Sequence, residues 1–197
     1  MYNLIKKRIS KGAPVMAIPQ EKTYTLEDLY ALPDGERAEL IDGRLYNMAP
    51  PNRMHQKISG KLHQTIANYI SAKNGSYEVY AAPFSVFLNK DDKNYVEPDL
   101  SVICDDNKLD DKGCVGAPDW IIEITSPSNP ETDYGIKLYK YRTAGVREYW
   151  IVNPVKHAVI VYDFEHEKCT NLYSFEDTIP VCIYPDLSIC IADLLNK

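Results

Sequence analysis

The apolar positions of this chain change period near residue 75. Between residues 52 and 73, Ile58, Leu62, Ile66 and Ile70 recur every four residues, the spacing of a single buried stripe on a helix. Asn74-Gly75 follows where a left-handed residue closes a helix. Beyond it, residues 77–82, 84–88, 95–104 and 120–125 are short runs rich in β-branched and aromatic side chains, separated by turn formers, and they read as strands. Asp91-Asp92-Lys93-Asn94 forms a hairpin loop, and residues 105–116 read as a polar loop.

The flanks follow the same logic. Thr25 caps a short helix over residues 25–32, with Glu27 and Asp28 in its first turn and Pro33 after it. Residues 38–48 fold back around Asp42-Gly43, a strong two-residue hairpin signal. Ser126-Pro127-Ser128-Asn129-Pro130 is a stiff connection into a helix over residues 131–144, which Gly145 ends. Strands follow at 148–152, 158–163, 169–175 and 187–191, with a helical tail at 192–195. The strand–helix–strand unit from Trp120 to Val152 predicts a right-handed crossover. The class is α/β or α+β: a mixed sheet flanked by helices, with residues 1–23 as a basic arm and residues 24–197 as one domain.

Composition narrows this picture only slightly. Fifteen tyrosines against four phenylalanines strengthen the β-rich reading. The five cysteines Cys104, Cys114, Cys169, Cys182 and Cys190 are odd in number and lack CxxC spacing, which argues against a disulfide framework or structural zinc and for reduced thiols in the cytoplasm. No apolar run approaches membrane-spanning length. The arm carries Lys6, Lys7, Arg8 and Lys11 without the apolar core of a signal peptide. A net charge of −6 does not advertise a nucleic-acid binder, so a nucleic-acid substrate demands a local basic patch, a bound metal or a groove built by a dimer.

The chemistry is concentrated between residues 96 and 150. Glu123 lies inside an apolar strand, flanked by Ile122 and Ile124, where an ionised carboxylate is costly unless paired or bound to a cation. Strand alternation places Ile122 and Ile124 on one face and Ile121, Glu123 and Thr125 on the other. Taken alone, Glu123 is better explained by a salt bridge to a nearby Arg or Lys, or by a sheet-end position in water. Three Pro-Asp pairs compete to be its partner. Pro118-Asp119 lies four residues earlier on the same strand, more than about 10 Å away at about 3.3 Å per residue. Pro185-Asp186 falls in a distant turn. Pro98-Asp99 alone opens a separate strand that can pair beside Glu123. Asp99 and Glu123, with a strand carbonyl such as that of Ile124, supply the hard oxygen ligands that Mg²⁺ takes. Ser126 and Ser128 offer hydroxyls, but no His/Asp partner is spaced to activate them.

Taken together, "ELIDG" (Glu39 to Gly43), His55, Pro98-Asp99, "GAPDWIIEITSPS" (Gly116 to Ser128), Asp133, Lys137, Tyr141 and "GVREYWIVNP" (Gly145 to Pro154) resemble the Uma-type restriction endonuclease family, a branch of the PD-(D/E)XK nuclease superfamily. The likeness runs over residues 24–195. It implies a restriction-endonuclease-like domain with a four-stranded mixed core sheet, helices on its flanks and additional antiparallel strands. It also implies Mg²⁺ (with Mn²⁺ as a substitute), hydrolysis of phosphodiesters in nucleic acid, DNA before RNA, and a homodimer. Asp99, Glu123, Lys137 and Glu39 match the catalytic positions, Glu39 as an added N-terminal acid. One departure stands out. The superfamily's lysine lies two residues after the glutamate, and Thr125 occupies that place here, so the resemblance moves the lysine to Lys137 on the following helix. A lysine's long stem allows this. A plain surface pair between Lys137 and Asp133 is the competing reading of that residue, and a solvated strand position that of Glu39. His55 can touch substrate or simply belong to a capped helix start near Asn52. At the level of function, the alternatives are an inactive nuclease-fold module that binds nucleic acid or a partner protein, and a structural dimer built through the C-terminal β region.

Overall fold

The computed structural model describes residues 22–73, 77–126, 132–166 and 170–196. The basic arm through residue 21, the Asn74-Gly75 helix stop, the connection at 127–131 with Ser128, and Cys169 lie outside the described residues.

The N-terminal elements follow their local signals. Helix α1 (Leu26–Tyr30) carries a capping box: the Thr25 side chain accepts the Asp28 N–H, and the Asp28 carboxylate accepts the Thr25 N–H at 2.9 Å. Strands β1 (Ala38–Ile41) and β2 (Arg44–Asn47) pair antiparallel across Asp42-Gly43. Both turn residues have positive φ, 50° and 72°, as a type I′ turn requires. Helix α2 (Arg53–Ala72) starts at Asn52, whose side chain accepts the His55 N–H at 3.0 Å. Its stripe of Ile58, Leu62, Ile66 and Ile70 is buried, each side chain contributing roughly 1.5–3 kcal/mol.

The next stretch is more broken than its composition suggests. Strands β3 (Glu78–Ala81), β4 (Val86–Phe87) and β5 (Leu100–Ile103) are short. The run at 95–104 divides because Pro98 has no N–H to extend a ladder. Ahead of it, Tyr95 and Val96 bridge instead to Leu40 and Val86. The polar stretch at 105–116 holds structure after all: a 3₁₀ turn (Asp106–Lys108), then β6 (Leu109–Asp110) and β7 (Gly113–Val115). Asp110 Oδ1 accepts the N–H groups of Lys112 and Gly113 and so tightens their hairpin. These strands are too short to leave a period in the sequence.

Strand β8 (Trp120–Ile124) is buried along its length. The expected helix at 131–144 begins, in its described part, as a π-helical turn (Thr132–Lys137) and only then becomes α3 (Leu138–Ala144). Gly145, at φ 99°, closes it. Strands β9 (Glu148–Asn153), β10 (Ala158–Asp163) and β11 (Asn171–Ser174) follow, then the small pair β12 (Ile179–Pro180) and β13 (Ser188–Ile189), and helix α4 (Ile191–Asn196).

The central sheet has six strands in the order β11-β10-β9-β8-β5-β3, two more than the four-stranded core implied by resemblance. Only β8 and β9 are parallel, so the sheet is mixed. Ile122 and Ile124 face α2 and the C-terminal segment, beside Trp120 packed edge-on against Trp150 at 5.0 Å. Ile121 faces the other way, towards Tyr141, Tyr149 and Ile151. Glu123 has the parity of Ile121 and projects on the side that α3 covers.

Candidate active site

Asp99 and Glu123 meet because β5 and β8 run antiparallel. Leu100 pairs with Ile122, which sets the residue before β5 beside the end of β8. Asp99 Oδ2 accepts the Ile124 N–H at 2.7 Å, so the carboxylate caps the neighbouring strand. His55 Nε2, from the first turn of α2, lies 3.0 Å from the same oxygen.

Glu123 is 4% exposed and Lys137 5%. The lysine comes from the π-helical turn and places Nζ 2.9 Å from Glu123 Oε1, 2.7 Å from Glu39 Oε2 and 3.7 Å from Asp133 Oδ1. It is therefore not a surface partner of Asp133. Glu39 is not solvated either: at 4% exposure it binds Lys137 with one oxygen and accepts the Glu97 N–H at 3.0 Å with the other. Tyr141 OH donates to Glu123 Oε1 at 2.7 Å.

One ammonium thus serves two buried carboxylates, Glu39 and Glu123, and the half-buried Asp133. Burial pushes the Glu123 carboxyl well above the usual range, Lys137 opposes the shift, and Asp133, Asp99 and Glu39 add to it. Asp133 is raised to about 6, first by burial, with Lys137 opposing and Glu39 and Asp99 reinforcing. For Lys137, burial alone would favour the neutral amine, but the three carboxylates outweigh it and hold the proton more firmly than usual. The cluster is short of positive charge.

These groups line one cavity of about 450 Å³, which also takes in Tyr46, Gln56, Ala82, Ser126 and Thr132. Glu39, Glu97, Asp99, Glu123 and Asp133 stand on its wall against the cations Arg37 and Lys137, and Arg37 is tied to Glu97. Among the described residues, no three His, Cys, Asp or Glu side chains gather into a ready-made metal cage. Mg²⁺ uses one or two carboxylates and completes its shell with water and substrate oxygens. Asp99, Glu123 and Ile124 all border the cavity, and no described residue donates to Glu123 Oε2 or Asp99 Oδ1. The donor set therefore fits a hard divalent cation.

Other candidates separate from this site. Asp119 sits at the far end of β8, bound to Cys104 N–H and Arg147. Asp186 is exposed and pairs with Lys73 and Tyr69. Cys104, Cys114, Cys182 and Cys190 are unpaired. Tyr141 carried no role in the sequence reading, although its position four residues after Lys137 puts both on one helix face. That spacing was the available signal.

A profile of the Uma2 family, described as "Putative restriction endonuclease", matches residues 26–192. The chain is 26% identical over 128 residues to the uncharacterized protein slr1290 of Synechocystis sp., an alignment covering 64% of this chain and 66%, just under two thirds, of that one. It shares a fold with the crystal structure of a "putative nuclease belonging to DUF820" from Anabaena variabilis, with a TM-score of 0.71 and 21% identity, covering 87% of this chain and 97% of the other. No helix among the described residues is long and apolar enough to cross a membrane. Because the profile spans most of the chain, this protein belongs to the Uma2 family, whose description supports a nuclease.

Proposed function

We propose that the protein is a metal-dependent endonuclease that hydrolyses phosphodiester bonds in nucleic acid, DNA in first place. The observation that carries this reading is the convergence of Asp99, Glu123 and Lys137 on one cavity wall. Asp99 and Glu123, with the Ile124 carbonyl, would hold Mg²⁺ or Mn²⁺, which when bound supplies Lewis-acid polarisation of phosphate and water.

The chain's own groups do the rest. Lys137 presents a fixed positive charge where charge develops on the phosphoryl oxygens. Burial keeps that charge from being diluted by water. Glu39 has both oxygens engaged, so it acts by steadying Lys137 and the backbone that leads into Asp99. Thr125, in the place of the superfamily's strand lysine, is buried and supplies no charge, but the helix-borne ammonium reaches the glutamate that a strand lysine would serve. The acidic cavity favours a polyanion only when a cation is present, which ties substrate binding to metal. The family's description as a restriction endonuclease supports DNA as the substrate, and a homodimer would let two sites cut both strands. The unpaired described cysteines suit a reducing cytoplasm.

Plasmid DNA incubated with Mg²⁺ tests this directly. Wild type should nick or linearise it, Asp99→Ala and Glu123→Ala should lose activity several hundredfold, and Lys137→Ala should be strongly impaired. Cleavage that survives both acid substitutions rejects the site, and no cleavage of DNA or RNA by the wild type favours a non-catalytic nuclease-fold module. Light scattering after size exclusion decides the homodimer.

A further inference from the structure

Each proposed metal-binding carboxylate is gripped through one oxygen only. Glu123 Oε1 receives both Lys137 Nζ, at 2.9 Å, and Tyr141 OH, at 2.7 Å. Asp99 Oδ2 accepts the Ile124 N–H at 2.7 Å and lies 3.0 Å from His55 Nε2. In neither case does a described residue donate to the other oxygen. A carboxylate held by a single donor can swing and exchange its oxygens. Two polar groups converging on one oxygen fix both the rotamer and the direction in which the free oxygen points.

We propose that His55 and Tyr141 are positioning residues: each commits one carboxylate oxygen to the protein and so presents its twin to a divalent cation. The inference rests on the metal-dependent reading above. Neither residue is explained by packing alone. Tyr141 is fully buried, and its ring already packs edge-on against Tyr149 at 5.0 Å, a contact phenylalanine would also make. The hydroxyl adds the bond to Glu123. His55 is buried too, its Nδ1 has no hydrogen-bond partner among the described residues, and its Nε2 faces Asp99 at 3.0 Å. Partners that orient metal-binding side chains in this way are worth about 10–100-fold in metal affinity.

Mn²⁺ binding to the full chain without nucleic acid, measured by calorimetric titration, tests the proposal independently of catalysis. Tyr141→Phe and His55→Ala should each weaken Mn²⁺ binding about 10–100-fold. His55→Gln, whose amide N–H reaches towards the place of Nε2, should recover most of the loss. Asp99→Ala and Glu123→Ala should abolish binding. Circular dichroism melts establish that each variant is folded, and Phe at 141 keeps the ring against Tyr149. If Tyr141→Phe and His55→Ala bind Mn²⁺ like wild type while the two acid variants do not, the positioning role is overturned and the metal site stands. If wild type and both acid variants bind Mn²⁺ alike, the metal reading fails and takes this inference with it.

Discussion

Pro98-Asp99 and Pro118-Asp119 stand at opposite ends of the same antiparallel strand pair and begin by doing the same thing. Asp99 accepts the N–H of Ile124 on β8 at 2.7 Å, and Asp119 accepts the N–H of Cys104 just past β5 at 2.8 Å. Each proline starts a strand, and each aspartate caps the strand beside it. What differs is the supply of cations. Asp119 has Arg147 at 3.3 Å and Lys108 at 3.7 Å, and Arg147 is in turn held by Glu165. Asp99 has His55, and beyond it a cavity where three further carboxylates share one lysine. The dipeptide is a structural device at both ends, and the charge left unanswered around it makes one end a candidate site.

Exchanging side chains should separate the two ends. Asp99→Ala should cut DNA cleavage several hundredfold, about 3–4 kcal/mol of transition-state stabilisation, in single-turnover assays with Mg²⁺. Asp119→Ala should do the reverse: cleavage per folded molecule is kept, while urea unfolding shows a loss of about 2–3 kcal/mol as Cys104 N–H and Arg147 lose their acceptor. An Asp119 variant that folds normally and cannot cleave would erase the distinction.

A pH series sharpens it further. The folded Asp133 carboxyl titrates near 6, against 3.8 for the unfolded chain. Between about pH 4 and pH 6 the folded protein therefore binds a proton that the unfolded chain has lost. Asp133's contribution to metal-free stability is fully present below that window and is lost as pH rises through it. Glu123, shifted in the same direction, extends the fall upward. Asp133→Asn should flatten the slope in thermal melts, whereas Asp119→Asn should leave it in place. The smallest effect belongs to the third Pro-Asp pair: Asp186→Asn, on an exposed ion pair with Lys73, should move neither the melting temperature nor cleavage measurably.

Much of this was legible before any coordinates. The four-residue stripe of α2 and the Asp42-Gly43 turn are local signals, and local signals survive folding. Glu123 announced itself because an acid between Ile122 and Ile124 needs a cation or a donor. Lys137 and Glu39 were placed by resemblance, but their burial was not readable, since a lysine four residues from an aspartate is the ordinary pattern of a solvated helix face. Tyr141 appeared only as a matching position of the resemblance; its ring is core, and its hydroxyl reaches the cavity's Glu123. His55 could not be assigned because Asp99, the carboxylate beside it, is distant in sequence. The π-helical start of α3 and the short β6–β7 hairpin were missed because both depend on tertiary contacts and leave no period.

The helix-borne lysine has a consequence for how sequence drift acts on this protein. An ammonium carried by β8 would be flipped to the opposite face by a one-residue slip in pairing. Delivered from the turn ahead of α3, it answers instead to how that segment seats against the sheet, so insertions along the strand and insertions ahead of the helix damage separate halves of the machinery.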